Sequence, residues 1–239
     1  MELRPTTALA LTAIVLGGVL LLGYRQNSRA ETIAPVPPPS QKFLPIPLTP
    51  PVAVSAPQHA AAPRIENARR LAILVFKKEK RLELWAQTDR WAHLKDFPVL
   101  AASGTGGPKL REGDKQVPEG IYHITELNPH STYHLSMKID YPNAFDRLNA
   151  QRDGRTKLGG DICIHGKNAS IGCVAIGDAG INEVYAVVSK VGMANVDVII
   201  APCDGVAPAA FPPAPKWLPE LYRNVSEKLR DIRKTDLLR

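Results

Sequence analysis

Short apolar runs separated by polar turns occupy the middle of the chain. Residues 71–76 form a continuous apolar run, which is typical of a strand buried on both faces. Residues 81–86 alternate between apolar and polar side chains, and the charged stretch 77–80 between the two segments predicts a hairpin connection. The same patterns predict further strands at 96–101, 120–124, 134–139, 162–165 and 196–200. Many short strands of this kind favour a β-rich domain over a doubly wound α/β fold.

Helical periodicity is confined to two segments near the C-terminal end. Between residues 180 and 191 apolar side chains recur at three- and four-residue intervals, and Gly192 is a natural end for the helix. Residues 221–232 carry their apolar side chains on one face, surrounded by basic residues. We expect this last helix to pack against the domain, with contact to a membrane surface as the alternative. The fold class predicted is therefore α+β and β-rich, with one or two packed helices.

An uncharged apolar run at residues 8–23 marks the N-terminal region. It is short for a membrane-spanning helix, which needs roughly 20 residues, and long for the core of a signal peptide, typically about 7–15 residues. Ser28 and Ala30 supply the small side chains that a signal peptidase reads. Residues 1–30 are thus predicted to be either a cleaved signal peptide or an uncleaved membrane anchor, and both imply export of the remainder of the chain.

Proline marks the boundaries of the domain. Residues 31–66 are rich in Pro and Ala and nearly uncharged, which predicts an extended linker because proline neither continues a helix nor pairs inside a sheet. The folded domain is assigned to residues 67–203, a length ample for one hydrophobic core. Residues 204–239 follow as a Pro-rich segment and the C-terminal helix.

Charge and cysteine count narrow the function classes. The net charge of +7 suits an anionic partner. The sequence has no basic patch interleaved with aromatic side chains, so we do not predict that this partner is a nucleic acid. The chain has 3 cysteines, and an odd number in an exported chain leaves at least one thiol unpaired within the molecule. Cys163 is expected either to be a buried thiol or to form a disulfide with Cys203 on a neighbouring strand. A Cys163–Cys173 bond is a further redox hypothesis.

The candidate chemistry lies in residues 162–173, which combine a strand and a turn. Alternation along the strand places Cys163 and His165 on one side and the flanking isoleucines on the other. Cys173 is the candidate nucleophile and His165 its base, because a thiolate needs a base within hydrogen-bond reach. Gly172 and Ser170 belong to a turn that can direct backbone N–H groups toward a developing oxyanion. Ligand spacing typical of zinc sites is lacking, so no metal and no cofactor are predicted.

These residues resemble a known family. The order His165-Gly166, then Ser170-Ile171-Gly172-Cys173, is similar to the signature of the YkuD-type L,D-transpeptidase catalytic domain, and the short interval resembles its YafK-like subgroup. Residues 113–122 and 139–146 are similar to further blocks of that family. The resemblance implies a β-sandwich-type catalytic domain that acts on peptidoglycan stem peptides in the periplasm and serves cell-wall organisation and cell shape.

The resemblance also implies a role for each matching residue. Cys173 would attack the carbonyl at the L-centre of diaminopimelate and expel D-alanine, with His165 as general base. Ser170 would position the turn or the histidine, and the N–H groups of Gly172 and Cys173 would form part of the oxyanion hole. An amine of another stem would then accept the acyl group, which is L,D-transpeptidation and cross-links the wall.

Three positions depart from the family pattern. Ile171 stands where a histidine is usual, Ala175 where an arginine is usual, and Val117 where a threonine is usual. The missing arginine leaves the recognition of the donor carboxylate open. Two alternatives therefore remain: a hydrolytic relative, an amidase or L,D-carboxypeptidase that releases a wall-linked lipoprotein or D-alanine, and a non-catalytic wall-binding module.

Overall fold

The computed structural model describes residues 67–205 and 214–234. The predicted leader at 1–30, its apolar run at 8–23 and the linker at 31–66 lie outside that part. No helix within the described ranges has the length and apolar character needed to cross a membrane.

Nine strands and three α-helices make up the domain. The strands are β1 (Arg70–Phe76), β2 (Arg81–Gln87), β3 (Trp91–Pro98), β4 (Ala101–Ala102), β5 (Gly120–Asn128), β6 (Ser136–Ile139), β7 (Cys163–His165), β8 (Val174–Ala175) and β9 (Val196–Ala201). The helices are α1 (Ala144–Arg152), α2 (Gly177–Val191) and α3 (Leu218–Arg233), with a 3-10 turn at Met193–Asn195.

The strands form one sheet in the order β3-β2-β1-β9-β5-β6-β7-β8-β4. Pairing is parallel between β1 and β9 and between β7 and β8, and antiparallel between the other neighbours. The β-rich prediction is therefore confirmed. The short strands β6, β7 and β8 lie together toward one edge, and they carry the candidate site.

The apolar run of β1 is continuous because both faces of the strand are covered. Leu71, Ile73 and Val75 belong to a core cluster that includes buried residues of α2, such as Val184. The intervening residues of β1 belong to a second cluster with the apolar face of α3, including Val225. Every residue from 71 to 76 is fully buried, which explains why no polar position interrupts the run.

The C-terminal helix is tied to the sheet by buried polar contacts as well. Glu119 is almost completely buried, receives the Tyr222 hydroxyl of α3 at 2.6 Å and pairs with Lys77 at 2.8 Å. The Lys77 ammonium also donates to the carbonyl oxygens of Gly107 and Val117, at 2.8 and 3.0 Å. The helix predicted at 221–232 thus packs against the domain. Glu119, which accepts the hydrogen bond from this helix, also pairs with Lys77, and Lys77 holds the loop that leads into β5.

The structure adds a helix to the one or two predicted. α1 begins after Asn143, whose side chain accepts the Asp146 N–H while the Asp146 carboxylate accepts the Asn143 N–H, a reciprocal capping box. The Asn143 amide also donates to the Ile121 carbonyl oxygen at 2.9 Å, which holds the start of α1 against β5. The helix has only two buried residues, Asn149 and Ala150, so apolar periodicity gave no signal for it.

Candidate active site

The predicted strand and turn form one wall of a cavity of about 630 Å³. Cys163, His165, Ser170 and Cys173 all line it. Residues 162 and 164 are buried isoleucines of the core cluster, and residue 162 also lines the cavity. The predicted two-sidedness therefore holds within β7, where residue 164 is in the core and Cys163 and His165 line the cavity.

His165 is held in one tautomer. Its Nδ1 lies 2.6 Å from the Gly166 carbonyl oxygen, and because a carbonyl only accepts, Nδ1 carries a proton. In the neutral ring the lone pair is then on Nε2, the atom available to act as base. The ring is 2% exposed, and the Tyr133 ring covers it at a centroid distance of 4.5 Å and a tilt of 41°. The histidine is therefore preorganised and shielded from water.

Cys173 has the surroundings of a thiolate. A hydrogen bond from the Cys163 thiol contributes most to lowering the pKa of Cys173. Burial raises this pKa, and hydrogen bonding to His165 lowers it further. The net result is a pKa of about 5. The Cys163 backbone N–H also donates to Cys173 Sγ at 3.4 Å. The same thiol–thiol contact, together with burial, raises the pKa of Cys163. At neutral pH Cys173 is thus the ionised partner and Cys163 the protonated one.

Ser170 organises the turn before the nucleophile. Its hydroxyl donates to the Cys173 carbonyl oxygen at 2.7 Å and accepts the Gly172 N–H at 3.2 Å. It also accepts the Ser103 N–H at 3.1 Å and lies 3.0 Å from the Ser103 hydroxyl. Ser103 in turn donates from its hydroxyl to the Lys115 carbonyl oxygen at 2.7 Å. The hydroxyl of Ser170 therefore joins the turn before Cys173 to Ser103 and, through the Ser103 hydroxyl, to Lys115.

The role expected of Gly172 needs a correction. Its N–H is already bonded to Ser170 Oγ, so it is engaged within the turn and not free to receive an oxyanion. The Cys173 N–H is then the remaining donor of the two that the sequence suggested. Glycine is still needed at 172 because φ is +131°, a region that residues with a side chain rarely adopt.

The turn that follows His165 is fixed from the other side. The Asp178 carboxylate, in the first turn of α2, accepts the Lys167 N–H at 2.8 Å. Gly166 lies so close to this carboxylate that an added Cβ would come within 2.6 Å of its Oδ1 and 2.7 Å of the Tyr133 carbonyl oxygen. Glycine is required here to let helix α2 and the loop before β6 approach strand β7.

A polar loop around Asp114 forms another wall of the cavity. Asp114 accepts backbone N–H groups from Leu110, Arg111 and Gln116, and its contact with the Lys109 ammonium is 2.6 Å long. Burial alone would raise the pKa of Asp114, but these four hydrogen bonds lower it. The charge of Lys109 is thus compensated inside the loop. Lys115, which also lines the cavity, is exposed, and the described part of the chain offers it no ion pair.

The third cysteine lies apart from the other two. Cys203 follows β9, and strands β5 and β6 separate β9 from β7, so the suggested disulfide between Cys163 and Cys203 on neighbouring strands is wrong. All three cysteines are free thiols. Cys163 is half-buried on the cavity wall and not in the core, which corrects the alternative of a buried thiol as well.

Two contacts of the site were not anticipated from the sequence. They are the bridge through Ser103 and the cover over His165 supplied by Tyr133. Both join segments that are distant in the sequence. Within residues 67–205 and 214–234, no three His, Cys, Asp or Glu side chains are grouped so that they could hold a metal ion.

Comparison with known sequences gives a family model and two curated relatives. Residues 70–200 match the family model YkuD, described as the L,D-transpeptidase catalytic domain. The chain is 35% identical over 136 residues to a protein of Escherichia coli K12 named "Putative L,D-transpeptidase YafK", and the same values hold for its counterpart in E. coli O157:H7. That alignment covers 54% of this chain and 53% of the relative, so the chain spans about half the length of the curated proteins it matches.

Solved structures give weaker similarities. The helical cell shape determining protein Pgp2 from Campylobacter jejuni is 23% identical with a TM-score of 0.48, covering 56% of this chain and 48% of its own. Bd1075 from Bdellovibrio bacteriovorus is 21% identical with a TM-score of 0.41, covering 71% and 63%. L,D-transpeptidase 1 from Mycobacterium tuberculosis is 11% identical with a TM-score of 0.33, covering 55% and 61%.

Proposed function

Because more than half of its length matches the YkuD model, the chain belongs to the L,D-transpeptidase catalytic domain family, and we propose that it is a peptidoglycan acyltransferase that works through a thioester on Cys173. Its substrates are peptidoglycan stem peptides, and its product is a cross-link between two stems. The observation that carries the proposal is the pairing of a thiolate-prone Cys173 with a histidine of fixed tautomer in one cavity.

In the first half-reaction the Cys173 thiolate attacks the carbonyl at the L-centre of diaminopimelate. A C–S bond forms, and the Cys173 N–H stabilises the negative oxygen of the tetrahedral intermediate. The C–N bond to D-alanine then breaks, and the leaving amine takes the proton that Nε2 of His165 received from the Cys173 thiol when the thiolate formed. The thioester remains on the enzyme.

In the second half-reaction an amine of another stem attacks the thioester. His165 Nε2 accepts the amine proton, a C–N bond forms, the C–S bond breaks and the Cys173 thiolate returns. Nδ1 stays bonded to the Gly166 carbonyl oxygen throughout, so the ring does not need to reorient between the two steps. The Tyr133 ring limits access of water to the histidine, which favours transfer to an amine over hydrolysis.

We extend the proposal to the cell compartment. Stem peptides occur outside the inner membrane, so the domain would reach them in the periplasm after export through residues 1–30. Residues 8–23 would anchor it to the inner membrane if that segment is not cleaved. Fractionation of cells that carry the full chain would test this, because a cytoplasmic location would contradict the proposal.

The test of activity uses the purified full chain and a disaccharide-tetrapeptide, with and without an added amine acceptor. Mass analysis should detect a dimer or an acceptor adduct after loss of D-alanine. Cys173→Ser should abolish both products, while Cys203→Ser, remote from the cavity, should keep them. A substrate left intact by the wild-type protein would overturn the proposal.

The same assay separates the alternatives. A clipped monomer without any dimer or adduct would identify a hydrolase, in which water attacks the thioester. A carbapenem-type probe that adds no mass to Cys173 would instead support a wall-binding module without catalysis. Release of a wall-linked lipoprotein from isolated sacculi, dependent on Cys173, would identify an amidase.

A further inference from the structure

Cys163 forms and breaks no covalent bond in the proposed acyl transfer, yet its sulfur lies beside the nucleophile. The parallel pairing of β7 with β8 sets Ile164 opposite Val174 and His165 opposite Ala175. Cys163 and Cys173 each come directly before the first of these paired residues, and extending the register by one residue would set them opposite each other. Residues opposite each other on neighbouring strands project to the same face of a sheet.

Backbone spacing at this position suits a disulfide. Neighbouring strands are about 4.8 Å apart, and the Cα atoms of disulfide-bonded cysteines are usually about 4.4–6.8 Å apart. Both sulfur atoms also lie near one acceptor, the Asp161 carbonyl oxygen, at 3.6 Å for Cys173 and 3.8 Å for Cys163. The Cys173 sulfur also lies 3.4 Å from the backbone nitrogen of Cys163, so the two thiols are neighbours on the cavity wall.

We propose that Cys163 is a resolving thiol, which captures an oxidised Cys173 as a reversible Cys163–Cys173 disulfide and so protects the nucleophile from irreversible oxidation. The oxidant is of the peroxide class. The reductant that reverses the step is a dithiol.

The chemistry proceeds in two balanced steps. The Cys173 thiolate attacks one oxygen of hydrogen peroxide, the O–O bond breaks, and a sulfenic acid forms while the second oxygen leaves as hydroxide and is protonated to water. The Cys163 sulfur then attacks the Cys173 sulfur, an S–S bond forms, and the sulfenic oxygen leaves as a second water. The two sulfurs lose two electrons in total, and the peroxide gains them.

The different protonation of the two thiols suits their different roles. Cys173 is the thiolate, and the thiolate is the form that peroxide oxidises. Cys163 keeps its proton chiefly because its S–H bonds to that thiolate. Once Cys173 becomes a neutral sulfenic acid, this contribution to the raised pKa of Cys163 disappears and Cys163 ionises more readily. The resolving thiol is thus activated by the first oxidation step.

The sheet order leaves Cys173 no other resolving partner in the described part of the chain. Cys203 lies beyond β9, which is separated from β7 by the two strands β5 and β6, and it is the natural control position. Protection depends on speed, because further peroxide converts a sulfenic acid to a sulfinic acid that dithiols do not reduce. A thiol already in contact has the advantage of an intramolecular reactant.

The experiment treats the reduced, purified full chain with peroxide, blocks the remaining thiols by alkylation and reads intact mass and peptide maps. The wild-type protein should lose two hydrogen atoms, yield a peptide pair joined through Cys163 and Cys173, and lose acylation by a carbapenem probe. A dithiol should restore acylation. Cys203→Ser should behave as wild type.

Cys163→Ser should instead accumulate oxygen on Cys173. At a matched peroxide dose, we expect the sulfinic form to be at least about tenfold more abundant than in wild type. Cys163→Ala provides a second variant, with thermal unfolding as the check that each is folded. The proposal is overturned if wild type and both variants form sulfinic acid equally, or if the disulfide joins Cys203. The mass readout does not require turnover, so it can fail or succeed independently of the proposed function.

Discussion

Ser170 offers the sharpest test of how the turn holds the nucleophile. Replacing Ser170 by alanine removes a donor to the Cys173 carbonyl oxygen and an acceptor for the Gly172 and Ser103 N–H groups. Each such hydrogen bond contributes about 0.5–1.5 kcal/mol net, so we expect the free energy of unfolding to fall by about 2–4 kcal/mol. Loss of the bond to the Cys173 carbonyl should also let Cys173 move.

A displacement of about 1 Å at a reacting atom costs about 10²-fold in rate. We therefore expect acylation of Cys173 by a carbapenem probe to slow by about 10–100-fold in Ser170→Ala. Unfolding in urea measures the stability, and stopped-flow mass or absorbance changes measure the acylation rate, both on the full chain.

Ser103→Ala is the matched control. It removes the hydroxyl contacts to Ser170 and to the Lys115 carbonyl oxygen but keeps the Ser103 N–H that donates to Ser170. The turn itself keeps its hydrogen bonds, so we expect a stability loss of about 1–2 kcal/mol and an acylation rate within about threefold of wild type. The reasoning fails if Ser170→Ala acylates at the wild-type rate, or if Ser103→Ala slows acylation as much as Ser170→Ala does.

Three further predictions concern the same cavity. His165→Ala should slow acylation by about 10²–10⁴-fold while the protein stays folded by circular dichroism, and an unchanged rate would remove the histidine from its role as base. The lowered pKa of Cys173 predicts an acylation rate that is level from about pH 6.5 to 8 and falls as pH drops through about 5, because the thiolate is then protonated. Cys163→Ala removes the hydrogen bond that contributes most to that shift and should move the inflection to higher pH; a profile that does not move would contradict the assignment. Lys115→Gln should raise KM for a stem-peptide substrate about 3–10-fold with little change in kcat, because the Lys115 side chain lines the cavity. Lys190→Gln on α2, outside the cavity lining, should change neither KM nor kcat.

The reactive pair could be predicted from the sequence because its geometry is local. Alternation along residues 162–165 is enough to orient His165, and the turn up to Cys173 is short. The continuous apolar run of β1 likewise indicated that both faces of this strand are buried. These features depend on residues within one or two elements of each other.

The remaining features depend on register and tertiary contact. The juxtaposition of Cys163 with Cys173 follows from the parallel pairing of β7 with β8, and β8 is too short to be recognised by its own pattern. Helix α1 escaped detection because it is mostly exposed, although its Asn143–Asp146 capping box was visible in the sequence. The engagement of the Gly172 N–H depends on one side-chain rotamer, that of Ser170, which no sequence pattern fixes.

The position of α3 determines how this domain can be produced in isolation. The family match ends at residue 200, yet the apolar face of α3 covers Leu74 and Phe76 on the sheet. A protein trimmed to the matched residues would expose that sheet face to water, remove Tyr222 from Glu119 and present a large apolar patch prone to self-association. Expression trials that end before residue 218 should therefore yield aggregates, and the shortest soluble unit should extend through Arg233.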